Sequence, residues 1–125
     1  MRFHMFLFLA GMLFVLPESA GAHHSSAAFF DADRTIEVNG VVKDWRFANP
    51  HPVLRVEATD ENGQKVEWRL EFSPGTATSL ARRGYSTQTF SAGEVVTAMG
   101  HPSRAPGARL LEVRTITRAD GAPVP

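Results

Sequence analysis

Histidine is the chain's most chemically versatile residue, and its four mature-region copies fall at suggestive places: His23 and His24 side by side, His51 in Asn-Pro-His, and His101 in Gly-His-Pro. Imidazole nitrogens ligate transition metals, and nitrogen sets favour copper(II) in the divalent series, with zinc next. His23 carries a further option if it becomes the first residue of the mature chain. Its free α-amine and its imidazole could then close a chelate ring on one ion, because an α-amine with a pKa near 8 deprotonates for a metal at little cost near neutral pH. His24 suits the same ion less well, since neighbouring side chains on an extended arm point to opposite faces. The ligand ranking is therefore His23, His51, His101, then His24, with copper(II) first and zinc second. The bland alternative is that these are solvated or hydrogen-bonded loop histidines.

His23 becomes a terminus only if the preceding segment is removed. Met5 to Leu16 reads MFLFLAGMLFVL and holds no charged side chain. Such a stretch is too short to span a bilayer, which takes about 20 residues, but it suits the apolar core of a secretory signal. Pro17 breaks a helix, and Ala20 and Ala22 supply the small-x-small pattern that a signal peptidase accepts. Residues 1–22 are thus expected to be a signal peptide, which places the protein in the periplasm or outside the cell, with no membrane insertion after cleavage. Cutting after Gly21 would instead make His24 the third residue, where it could bind copper with its own backbone amides.

Composition narrows the rest. Thirteen basic and thirteen acidic residues leave no net charge, so nothing draws the chain broadly to nucleic acid or anionic lipid. The absence of cysteine excludes disulfides, thiolate metal sites, cysteine nucleophiles and a lipid-anchored cysteine. Ser25 and Ser26 lie near histidines and aspartates, but no G-x-S-x-G elbow sets a serine against a base. The expectation is a non-enzymatic binding protein; an oxidative copper enzyme is the weakest of three readings. The second reading is a metal-free module that binds a protein, peptide or saccharide on a barrel face. For it the candidate ligand-binding residues are Trp45, whose ring could stack on a ligand, Asn49, and the Arg82–Arg83 pair, whose guanidinium forks suit carboxylates and phosphates.

The elements that must position these residues read mostly as strands. Residues 23–34 form an N-terminal arm, residues 35–118 a single domain, and residues 119–125 a flexible tail. From Thr35, Ile36, Val38, Gly40 and Val42 share one parity while Trp45 and Phe47 take the other, which predicts a bulge near Gly40 in a long first strand. Asn49-Pro50-His51-Pro52 interrupts it. Val53 to Thr59 and Lys65 onward give the next two strands, with Val66, Trp68, Leu70 and Phe72 inward. Ser73 as cap and Pro74 at the first helical position predict a short helix to about Arg83, closed by Gly84. Glu94 to Gly100 and Ala108 to Thr117 are the last two strands, with His101 in the loop between them. Three strands, one helix and two strands predict an all-β domain with one short helix, a five-stranded, partly open OB-fold-like barrel with the helix between strands three and four. In that fold the first and last of these loops border one face, which would bring His51 and His101 together.

The stretches AHHS, FFDADRT, ANPH, SPGTATSLARRGYS and GEVVTAMGHP occur in that order. Together they resemble an exported bacterial family of unknown function (DUF6152-like), whose members begin His-His-Ser after the signal and carry Asn-Pro-His. The likeness covers nearly all of residues 22–117. It implies an exported small β-barrel and brings no activity with it.

Overall fold

The computed structural model describes residues 26–125; the expected signal peptide, His23 and His24 lie outside them. Five strands, β1 (Ile36–Arg46), β2 (Val53–Thr59), β3 (Lys65–Glu71), β4 (Val95–Pro102) and β5 (Leu110–Arg118), close into a barrel in the order β1-β2-β3-β5-β4. Its one α-helix among the described residues is α1 (Ala77–Ala81), between β3 and β4. All pairings are antiparallel except β3 with β5. No helix among the described residues is long and apolar enough to cross a membrane.

Closure depends on β1, which serves two neighbours in turn. Ile36 to Val41 pair with β4, and Val41 to Arg46 pair with β2. Gly40 sits where the strand changes partners. A Cβ there would lie 2.8 Å from the Glu57 carbonyl oxygen and 3.1 Å from Val56 Cβ, so the backbones approach more closely than a side chain allows. The bulge itself falls between Val42 and Asp44, not at Gly40. Gly40 stays on the inward parity with buried Val38 and Val42; Lys43 is the extra residue that turns Trp45 toward the core.

Inside, Leu54, Val56, Leu70, Val96, Ala98 and Leu111 are wholly buried, and Leu80 of α1 plugs one end. On β3 the expected inward set is only half sealed: Leu70 and Phe72 are buried, while Val66 and Trp68 remain partly exposed. The reason is pairing, since β5 joins β3 only from Arg69 onward.

The helix begins later than expected. Thr76, not Ser73, is its cap: Thr76 Oγ1 accepts from the Ser79 N–H at 3.1 Å, and the Thr76 N–H donates to Ser79 Oγ at 2.8 Å. The Ser73–Pro74 peptide is cis and lies outside the helix. Gly84 terminates the turn as expected, at φ +96°. Residues 119–125 do not trail away. Arg118 N–H donates to the Ala122 carbonyl and Val124 N–H to the Ile116 carbonyl, which carries Val124 into the core at 7% exposure.

Candidate functional site at the arm–barrel junction

The arm is bound to the barrel by its backbone. Phe30 bridges Ser103, Asp31 N–H donates to the Pro102 carbonyl at 2.9 Å, and Arg104 N–H donates to the Phe29 carbonyl at 2.8 Å. Arg104 also reaches back with Nε to the Ala27 carbonyl at 3.0 Å and lies 3.4 Å from Asp31 Oδ1. The Phe30 ring is 4% exposed yet stands outside the main core cluster. These bonds draw β4 out to Pro102 and place His101 on the strand, where the sequence predicts a loop.

His101 is oriented by the same arm. Its Nδ1 lies 2.8 Å from the Arg34 carbonyl oxygen. A carbonyl only accepts, so Nδ1 carries the hydrogen and a neutral ring keeps its lone pair on Nε2. Across the ladder, His101 faces Glu112 of β5, and Glu112 in turn faces Glu71 of β3, which faces Val53 of β2. Because Leu111 and Val113 point inward, this row lies on the outer face. Glu112 is nevertheless only 1% exposed. Its Oε2 accepts from the Arg114 guanidinium at 2.9 Å, whereas its buried Oε1 has no partner among the described residues. Glu71 likewise has no hydrogen bond or ion pair to a described side chain.

His51 is placed elsewhere. Its Nδ1 lies 2.7 Å from the Gly75 carbonyl oxygen, and Asn49 Oδ1 accepts from the Ala77 N–H at 3.0 Å. The Asn-Pro-His loop thus clamps the connection leading into α1, with Asn49 capping the helix from outside. His51 precedes β2 and His101 lies near the end of β4, and each holds a different backbone carbonyl. Among the described residues no three His, Asp or Glu side chains converge in a way that could hold a metal.

The remaining predicted ligand-binding residues divide. Trp45 packs edge-on against Phe72 and Phe90 and donates its Nε1–H to the Ser86 carbonyl at 2.8 Å, so it is a part of the core wall. Arg82 caps the C-terminus of α1 and is exposed. Arg83 stacks over the Tyr85 ring at 5.7 Å and lines a groove of about 690 Å³ between α1, β5 and the C-terminal turn. Burial pushes the Tyr85 hydroxyl pKa up, with the nearby Arg83 charge opposing. Sequence reasoning missed Glu112: strand alternation assigns it to the solvated face, and no pattern marks an outward carboxylate as buried.

Fold and junction together define a small closed β-barrel with an N-terminal strap held across its β4–β5 end. A family of unknown function, DUF6152, matches residues 12–111, and the chain belongs to that family. No curated protein matches it.

Proposed function

We propose that this chain is a small exported, non-enzymatic binding protein of the periplasm that holds copper(II), or zinc as second choice, where the N-terminal arm meets β4. Its ligands are the α-amine and imidazole of His23 together with His101 Nε2. The observation that carries the reading is the arm's attachment. It is bonded to the barrel from Ala27 to Arg34, and it fixes His101 with Nε2 available. His23 is three residues before Ser26, a reach of at most about 10 Å. His51, bonded to Gly75 at the α1 connection, and His24 are secondary. We further read the barrel as OB-like: strand order and helix position support that assignment.

The test uses secreted protein whose N-terminus has been verified by mass spectrometry. Copper(II) is titrated against that form and against a variant with one residue added before His23. The added residue is expected to weaken binding by at least about tenfold, because it moves the amine off the histidine that chelates. Equal affinities would overturn the metal reading. A metal-free module remains the second reading, favoured by the groove beside Arg83, Tyr85 and Arg114. Its apolar floor and cationic rim fit a protein, peptide or saccharide bearing an anionic group.

A further inference from the structure

We infer that the groove between α1, β5 and the C-terminal turn takes the end of an extended peptide, whose main chain pairs with an open stretch of β5 and whose terminal carboxylate is held by Arg83. This deepens the second reading above, a metal-free binding module, and is independent of the metal. It starts from the pairing of β5. One edge of that strand is covered by β4 from Leu111 to Arg118. The other edge is covered in two pieces. β3 registers with it only as far as Glu112, and the C-terminal turn joins it at Ile116, through the Val124 N–H, and at Thr117, which bridges Pro123. Val113 to Thr115 lie between, with no register partner on that edge among the described residues, and all of them line the groove. A residue in a ladder turns its N–H and its C=O to the same edge. Ile116 gives its carbonyl to Val124, so its N–H faces the gap too, without a backbone partner there among the described residues. A strand edge in this state is a template for an added strand.

The rest of the groove suits the end of a peptide. Its floor is apolar, with Phe72, Leu80, Tyr85 and Val124 all buried in the core cluster. Among the described residues its lining holds two guanidiniums, those of Arg83 and Arg114, and no carboxylate. Arg114 is committed to Glu112 through Nη2 at 2.9 Å. Arg83 has no ion pair among the described residues and lies 5.7 Å from the centre of the Tyr85 ring. It offers a planar fork beside an apolar surface, and a carboxylate accepts such a fork with two parallel hydrogen bonds. A C-terminal residue carries an apolar side chain and a carboxylate on one Cα, which matches that pairing of surfaces. Val113 to Thr115 correspond to about 10 Å of extended chain, and a groove of about 690 Å³ has room for a segment of that length. An apolar acid without a peptide backbone would use the floor and Arg83 but leave the strand edge unpaired.

The experiment titrates isotope-labelled secreted protein, without metal, by NMR. The probes are acetyl-Val-Thr-Phe with a free carboxylate, its C-terminal amide, and acetyl-phenylalanine. The free-acid peptide is expected to move the backbone signals of Val113 to Ile116 and to slow hydrogen exchange at the Ile116 N–H, a measurement on the wild type that needs no variant. The amide peptide is expected to bind about tenfold more weakly, for loss of a charge-assisted contact. Arg83→Gln, at an exposed position, should weaken the acid by about the same factor and leave the amide unchanged, so that the two peptides converge. Equal affinities for acid and amide in the wild type, or a difference that survives Arg83→Gln, would overturn the inference. So would acetyl-phenylalanine binding as tightly as the peptide, which would make the groove a small-molecule site. In those cases the groove still binds and the module reading stands. If none of the probes moves a groove signal at millimolar concentration, that reading fails as well.

Discussion

The barrel presents two histidines in matched local settings, and the comparison between them is instructive. At the β1–β2 loop, His51 holds a backbone carbonyl with Nδ1, and at the end of β4, His101 does the same. Around His51 the polar groups are accounted for: Asn49 takes the Ala77 N–H, and Phe72 N–H donates to the Pro52 carbonyl. Around His101 the backbone is equally well bonded, yet the side chain opposite is a buried carboxylate with one oxygen unpartnered among the described residues. A conspicuous motif can therefore be fully accounted for by its structural role. Asn-Pro-His is conspicuous because it turns the chain and clamps a helix; the less conspicuous Gly-His-Pro lies opposite a buried carboxylate whose Oε2 is held by Arg114 and whose Oε1 has no partner among the described residues.

The sharpest way to break this comparison is to release the arm. Phe30→Ala removes a buried ring from the junction. It should cost about 3 kcal/mol in chemical denaturation, at the low end for a buried aromatic because Phe30 lies outside the main core. The arm should become sensitive to protease and copper affinity should fall with it. Undiminished copper binding by the protease-sensitive variant would detach the metal from the junction.

Much of this fold was legible in the chain, for reasons that also explain the misses. Alternation in β2 and β3 and the turn residues Asp60 to Gly63 report short-range physics, and the structure follows them: Asp60 Oδ1 accepts from both the Asn62 and Gln64 N–H groups at 2.9 Å. The bulge at Lys43, the cap at Thr76 and the buried Val124 depend on which strand or loop lies alongside, information that is spread over the whole chain. Ser73-Pro74 is a persuasive helix opening by itself, but the Thr76–Ser79 capping box and the Asn49 side chain together define the start three residues later. Glu112 is the extreme case. Its burial comes from long-range packing around a residue that its own strand's alternation turns outward.

The His51 side of the comparison carries a smaller effect. His51→Ala leaves the Gly75 carbonyl without its donor and should destabilise the protein by about 1 kcal/mol. Asn49→Ala removes an external cap from α1 at a similar cost, about 1 kcal/mol. Because both side chains grip the same connection, the double variant should fall short of the sum in a denaturation cycle. Copper affinity should be unchanged in all three. A loss of copper binding in His51→Ala comparable to that in His101→Ala would make the two histidines partners after all.

The smallest effect comes from a more exposed carboxylate with two cationic partners, where the buried Glu112 has one. Glu57 lies 2.9 Å from Lys65 Nζ and 3.6 Å from Lys43 Nζ, and its pKa is lowered, first by the Lys65 hydrogen bond and then by the Lys43 charge. Its folded pKa lies below the unfolded value of about 4.3, so the stabilisation is present above that pH and is lost as pH falls through the folded pKa. Both lysines are exposed, so salt screens the attraction. Glu57→Gln should therefore reduce the melting temperature slightly at neutral pH and low salt, and the difference should vanish in strong salt and in acid. Glu112→Gln removes the anionic half of a more buried pair, with Arg114 at 2.9 Å, and should respond less to salt. If both substitutions destabilise alike and respond alike to salt, Glu112 is an ordinary ion-paired carboxylate held by Arg114, and the asymmetry between the two ends of the barrel disappears.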